Sequence, residues 1–257
     1  MIIVKITGGL GTQLFGFAYG KVLAKRNNTE LWCDLSEYKV SNPYRQLELR
    51  RLFRGQIKHS AKVNVLKHIR KVKEKQFHFE QRLYDVKDYH YVTGYFQSYK
   101  YFDNIKNEMK DIFKSDHFDY VRGKVEETEC ETAIHIRHGD FLINPLYYVL
   151  PLTYYNNAID KLDSKKFVVF SDDMEYANTF KNKIKDAGFD CKVWEPIDSI
   201  HDMAAMSFFP NIIAANSTFS WWSAYCSNAK VIVPMQYFAN NINTDLKDFY
   251  PVEWTQI

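Results

Sequence analysis

No two cysteines stand in a CxxC arrangement. Cys33, Cys130, Cys191 and Cys226 lie far apart, which removes the usual zinc and thiol-redox spacings and leaves buried free thiols as the simplest reading. No apolar run is long enough to span a bilayer, and the opening Met1-Ile2-Ile3-Val4-Lys5-Ile6 has strand character where a secretion leader would carry basic and apolar regions. The expectation is a cytoplasmic protein with reduced thiols, in which Asn216-Ser217-Thr218 has no meaning as a glycosylation acceptor. Excess charge is small too: 34 Lys and Arg against 31 Asp and Glu leave a net charge of +3, the pI is near 8.5 and there is no basic tail. That argues against nucleic acid as a partner but does not repel a phosphate-bearing ligand. Repeats, low-complexity tracts and coiled-coil heptads are absent. What the chain has in plenty is aromatic residues, 16% of its length. Aromatics suit cores first and sugar-binding faces second.

The 257 residues suffice for one large domain or two small ones. Ile2–Ile6 reads as a buried strand, followed by the Gly-rich Thr7-Gly8-Gly9-Leu10-Gly11-Thr12-Gln13 and an amphipathic helix from about Leu14 to Arg26. Such a loop brings backbone N–H groups to a ligand at a helix N-terminus, or simply makes a tight turn. It lacks the third glycine of GxGxxG and the Lys-Ser/Thr of a phosphate loop, so a dinucleotide site is disfavoured. Thr29–Asp34 reads as a second strand, and Arg45, Arg50, Arg51 and Arg54 cluster beyond it. A segment with Lys58, Lys62, Lys67, Arg70, Lys71, Lys73 and Lys75 carries Val63, Leu66, Ile69 and Val72 at helical spacing. It reads as a solvated helix face, with peripheral contact to an anionic membrane or lipid-linked phosphate as the sharper alternative. In Tyr91–Phe102 aromatics interleave with Gln97 and Ser98. That pattern fits either two faces of a packed strand or a pyranose site with Tyr95 and Gln97 as contacts. A helix is expected from about Asp103 to Phe113.

From Thr132 onward strands and helices alternate: strands at Thr132–Ile136, Phe167–Phe170, Lys192–Trp194, Asn211–Ala215 and Val231–Val233, with helices between them. This is a parallel, doubly wound α/β pattern. With the first half also beginning strand, loop, helix, two Rossmann-like lobes with a cleft between them are expected, at residues 1–128 and 129–257. Three apolar strands run into polar clusters, at His135-Ile136-Arg137-His138-Gly139-Asp140, Ser171-Asp172-Asp173 and Asn216-Ser217-Thr218. In open α/β sheets ligands sit beyond carboxyl strand ends, so all three belong on one edge. Arg137 can fork onto a pyrophosphate, aided by the hydroxyls of Ser217 and Thr218. Asp172 or Asp173 matches the N–H donors of a guanine edge, although Asp and Ser at these places also read as helix caps.

Gly8-Gly9-Leu10-Gly11-Thr12-Gln13-Leu14-Phe15, Gly94-Tyr95-Phe96-Gln97-Ser98, His135-Ile136-Arg137-His138-Gly139-Asp140-Phe141, Phe170-Ser171-Asp172-Asp173 and Asn216-Ser217-Thr218-Phe219-Ser220-Trp221-Trp222 together resemble the α-1,2-fucosyltransferase family. The resemblance implies a GT-B architecture, with an N-terminal acceptor-side lobe and a C-terminal donor lobe. It further implies inverting transfer of L-fucose from GDP-β-L-fucose to O2 of a terminal β-galactoside on an oligosaccharide or polysaccharide precursor, with no metal or other cofactor. Donor-binding residues would be His135, Arg137, Ser171, Asp172, Asp173, Asn216, Ser217, Thr218, Phe219, Gly9, Gly11 and Gln13. Tyr95, Gln97 and Trp221 would contact the acceptor. Arg137 would stabilise the leaving phosphate, and Asp140, then His138, are the candidate bases. The family motif usually reads His-x-Arg-Arg-Gly-Asp-Tyr, whereas His138 and Phe141 stand here for the second Arg and the Tyr. A fucosyltransferase of α-1,6 or O-linked type, a nucleotide-sugar-binding protein without turnover and, least favoured, a nicotinamide dehydrogenase are the competing readings. A bacterial glycan-assembly role at the inner face of the membrane fits the resemblance better than a Golgi one.

Overall fold

A computed structural model describes residues 1–39, 46–53, 55, 57–59, 69–239 and 244–257. The chain forms two compact units, Met1–Met109 with Thr244–Pro251, and Lys110–Asn243 with Val252–Ile257. The division falls at Met109/Lys110, ahead of the 128/129 boundary expected from the strand and helix pattern, and one late segment returns to the first unit.

The first unit is built on β1 (Ile2–Lys5), α1 (Leu10–Arg26), β2 (Leu31–Asp34), the short α2 (Leu49–Leu52), β3 (Arg70–Lys73), the short α3 (Gln81–Tyr84) and β4 (His90–Thr93), with α4 (Lys106–Lys110) at its end. Its all-parallel sheet has the order β2-β1-β4-β3. Ile2, Ile3 and Val4 are buried, the continuous apolar run expected of a strand covered on both faces. The helix α1 is buried nearly all round rather than amphipathic, with Leu14, Phe15, Phe17, Ala18, Tyr19, Val22 and Leu23 all inside. It lies close to the sheet because Gly20 carries no Cβ, which would stand 2.6 Å from Leu31 Cδ1 and 2.7 Å from Val4 Cγ2. Arg70–Lys73 is a strand paired with β4, not the end of a helix. The reason is its place at the sheet edge, where charged side chains on a strand block further pairing and imitate a solvated helix face. Val63, Leu66, Lys62, Lys67, Arg45 and Arg54 lie outside the described residues. Asp103–Phe113 breaks into a 3₁₀ turn, α4 and a second 3₁₀ turn.

The second unit comprises α5 (Asp119–Thr128), β5 (Thr132–Ile136), α6 (Leu152–Ile159), β6 (Lys166–Ser171), α7 (Met174–Asp186), β7 (Asp190–Val193), α8 (Ser199–Ser207), β8 (Asn211–Ile213), α9 (Thr218–Tyr225), β9 (Lys230–Val233) and β10 (Thr255–Gln256). Its parallel sheet runs β7-β6-β5-β8-β9-β10. Numbered from β5, that order is 3-2-1-4-5-6, the Rossmann arrangement. One face packs Ile134, Ile136, Val169, Ile213 and Ile232 against Tyr154, Tyr155, Ala158 and Phe180. On the other, Phe170 stacks on Trp194 at 5.0 Å and meets Phe209 edge-on at 6.0 Å. Side chains of Asp173, Asp198 and Ser217 cap α7, α8 and α9. Each accepts from a backbone N–H that the first helical turn would otherwise leave unpaired. Among the described residues no helix is long and apolar enough to cross a membrane.

Candidate active site

In the second sheet the chain winds one way from β5 to β6 and the other way to β8, so the switch point lies between β5 and β8. The carboxyl ends of these strands open a crevice there. His135 lies on β5, only 4% exposed, with the Phe219 ring of α9 5.5 Å away across the switch point. Burial first, and the nearby Arg137 charge second, push its pKa down to about 3, so the imidazole is neutral at physiological pH. Its Nδ1 is buried without a hydrogen-bond partner.

Arg137 follows at the strand end, its side chain 33% exposed. Nη2 donates to Asp140 Oδ1 at 2.7 Å and Nη1 pairs with Asp172 Oδ2 at 2.8 Å. Asp172 Oδ1 also accepts from the His138 N–H at 2.9 Å, which ties the β5 and β6 ends together. Gly139, at φ +20°, makes this approach feasible, since a Cβ there would press on the Asp172 carboxyl. His138 is buried, with Nδ1 3.0 Å from Asp173 Oδ2 and its ring 4.0 Å from that of Tyr176. The Tyr176 backbone N–H, then His138, hold the Asp173 carboxyl below the usual range. Phe141 stacks nearly parallel on Tyr147 at 4.0 Å. Among the described residues no three His, Cys, Asp or Glu side chains form a group able to hold a metal ion.

The sequence matches the model of glycosyl transferase family 11 over residues 4–257. The chain belongs to that family. Its relatives include an α-1,2-colitosyltransferase of Escherichia coli, 26% identical over 100% of this chain and 99% of the relative. The O-antigen biosynthesis glycosyltransferase WbnK of Escherichia coli is 27% identical over 94% of this chain and 96% of its own. A putative galactoside 2-α-L-fucosyltransferase of Caenorhabditis elegans, svh-11, is 26% identical over 66% of this chain and 53% of its own. Among solved structures, an Arabidopsis thaliana FUT1 mutant in complex with GDP superposes with a TM-score of 0.51 at 12% identity, covering 90% of this chain and 69% of that one. The Bradyrhizobium fucosyltransferase NodZ gives 0.51 at 12% identity over 95% of this chain and 98% of its own. The fold is that of GT-B fucosyltransferases, two Rossmann-like units.

Within this family 11 chain, the structure sorts the residues singled out from sequence. Arg137, Asp140, Asp172, Ser171, Thr218 and Phe219 reach the solvent-facing edge of the second sheet. His138 does not stand free to act as a base, because Asp173 and Tyr176 hold it inside. Asn216 is buried and its amide donates to the Tyr148 and Tyr237 carbonyls at 2.7 and 2.8 Å, so it ties the β8 end to two loops. Ser217 Oγ accepts from the Phe219 N–H at 3.3 Å as the cap of α9. Trp221 is 1% exposed, stacked on Tyr225 at 4.7 Å and tilted against Trp254 at 5.5 Å, so it is core and out of an acceptor's reach.

In the first unit Gly9 is the exposed residue preceding α1, whereas Gly11 and Gln13 are already inside the helix. Gln13 is 0% exposed, and its amide is used up by backbone. Nε2 donates to the Gly8 and Gln46 carbonyls, and Oε1 accepts from the Glu48 and Leu49 N–H groups, all within 2.7–3.1 Å. It closes the loop rather than facing a ligand. Tyr95 is exposed and Gln97 buried. Sequence reasoning missed Glu74, whose carboxylate accepts from the Tyr95 N–H at 2.6 Å and the Phe96 N–H at 3.1 Å. A lone Glu in a lysine-rich stretch carries no signal of that role.

Proposed function

We propose that this glycosyltransferase moves L-fucose from GDP-β-L-fucose to O2 of a terminal β-galactoside with inversion, giving an α-1,2 linkage. The observation that carries the reading is Arg137, a partly exposed guanidinium at the carboxyl end of β5 in a Rossmann sheet, where the neighbouring strand β8 leads into an eight-residue helix capped by Ser217. As the bond between the sugar C1 and the phosphate oxygen breaks, the electron pair goes to the β-phosphate and positive charge develops on the sugar. A fixed cation and a helix N-terminus at the leaving phosphate lower that barrier. The acceptor O2 attacks from the opposite face and loses its proton to Asp140, the exposed carboxylate of the cluster; His138 has no such freedom. Both Arg137 arms are engaged by carboxylates, so the incoming pyrophosphate takes over contacts that Asp140 and Asp172 hold. Neutral His135 and Asp172 would hold the nucleoside. The names of the relatives support the linkage. The colitosyltransferase relative supports a second sugar, colitose, on the same site.

Purified protein with GDP-fucose and a lactose-type acceptor, with and without EDTA, tests this. A product heavier by one deoxyhexose in both samples, GDP release that requires the acceptor and an α-1,2 linkage by NMR are expected. Arg137→Ala lowers kcat/KM by about 10²–10³. Turnover of that variant within tenfold of the parent would overturn the phosphate role, and a better rate with a colitose donor would reassign the sugar.

A further inference from the structure

The Gly94–Phe96 turn follows the carboxyl end of β4, an inner strand of the first sheet. Three features of this turn go beyond a connection. Phe96 has φ +53°, a left-handed backbone that costs a bulky residue roughly 1–2 kcal/mol. Its ring is buried and stacked on Tyr19 at 4.1 Å, which anchors one end of the turn. Glu74 accepts from the N–H groups of Tyr95 and Phe96, two consecutive donors on one carboxylate. Gly94 alone fits beside it, since a Cβ there would stand 2.5 Å from Glu74 Cβ. Between these two anchors Tyr95 is 49% exposed, its ring stacked on Phe77 at 5.7 Å and 28°. A large aromatic ring held in solvent by a strained turn with a dedicated carboxylate is a built surface, and such strain gathers at functional places.

We propose that the Phe77–Tyr95 pair is a ledge for a pyranose of the acceptor glycan and that Glu74 is the positioning residue that holds it in place. This rests on the glycosyltransferase reading above. The chemistry is apolar: the C–H face of a galactoside covers the exposed ring, while the hydroxyls stay in water or meet neighbouring polar groups. Glu74 touches the turn, not the sugar. The groups facing it are Glu80 and Arg82, with the hydroxyls of Tyr19 and Tyr101. Arg82 pairs with Glu80 at 2.6 Å and acts on Glu74 only as the smallest of the influences on its carboxyl. Burial pushes its carboxyl up to about 7, against the pull of the two N–H groups.

The test compares Tyr95→Ala, Tyr95→Phe and Glu74→Gln in the full chain. Tyr95→Ala is expected to raise the acceptor KM about tenfold, with the GDP-fucose KM within twofold and Tyr95→Phe near the parent. Glu74→Gln turns one acceptor oxygen into an N–H donor facing the turn. It is expected to raise the acceptor KM in the same way and to reduce the hydrogen-exchange protection of the Tyr95 and Phe96 amides. In the parent the acceptor KM climbs as pH falls below about 7, and in Glu74→Gln it is flat there. An unchanged acceptor KM in Tyr95→Ala overturns the ledge while leaving the transferase reading intact. A normal KM and normal protection in Glu74→Gln overturn the positioning role. If the parent makes no product, the transferase reading fails first. Saturation transfer from the full chain to methyl β-galactoside then decides the ledge: signal lost in Tyr95→Ala supports it, and signal retained or absent throughout refutes it.

Discussion

Gly139→Ala is a small change with a large calculated cost. The new Cβ would overlap Asp172 Oδ2 and come within 3.1 Å of its Cγ, so the carboxyl must retreat by about 1 Å. Retreat on that scale takes the bond from the His138 N–H, now 2.9 Å, out of range. A hydrogen bond to a charged group is worth about 1.5–3 kcal/mol. The partly exposed pair with Arg137 adds little. Alanine at φ +20° adds roughly 1–2 kcal/mol of backbone strain. The total is about 2.5–5 kcal/mol, a Tm drop of roughly 5–20 °C at the sensitivity expected for a chain of this size. Thermal and urea unfolding, followed by circular dichroism, read this directly. In an Asp172→Ala background the clash is gone and only the strain remains, so the same substitution costs about 1–2 kcal/mol. Equal costs in both backgrounds, or a single variant within 1 kcal/mol of the parent by the same cycle, refute the account of how the β5 and β6 ends are joined.

Two further outcomes follow from burial. Trp221→Ala should cost about 3–5 kcal/mol in urea unfolding, while the acceptor KM of the folded protein stays within twofold. A raised KM at unchanged stability would return Trp221 to the acceptor site. His135 is neutral in the folded chain with a pKa near 3 against an ordinary 6.5. The stability it protects is complete above pH 6.5 and is lost as pH falls toward 3. The slope approaches about 1.4 kcal/mol per pH unit. Urea midpoints at several pH values should therefore fall more steeply below 6.5 in the parent than in His135→Asn, and parallel curves would refute it.

The second unit was legible because its physics is repetitive. Strands covered on both faces must be apolar runs, as Phe167–Phe170 and Ile212–Ile213 are, and three of the helices between them start on capping Asp or Ser residues. Helix α5 escaped notice, since of its ten residues only Val121 and Val125 are buried. In the first unit, the charged edge strand β3 imitates a helix face, and α1 starts earlier than expected because glycines open its first turn. At the site, position was readable and exposure was not. Strand ends announce Arg137 and Asp172, but whether a polar side chain meets water or backbone is decided by residues distant in sequence. Gln13 is closed off by residues 46–49, His138 by Asp173 and Asn216 by Tyr237. Glu74 depends on a turn twenty-one residues away.

Residues 244–251 also bear on how the chain assembles itself. Asp248 accepts from the Phe79 N–H across 169 positions and pairs with Lys100 at 2.6 Å, while Phe249 stacks on Phe15 at 6.3 Å. The first unit to be synthesised is therefore finished only once all of the other sheet except β10 has been made, and part of its aromatic core stays open until then. Folding from the N-terminus, the usual order for a growing chain, is thus held back at the first unit. Loops of this length close slowly, and in the interval Phe15 has its Phe102 contact but not the Phe249 ring. Chaperone dependence in this protein should concentrate on the half that emerges first.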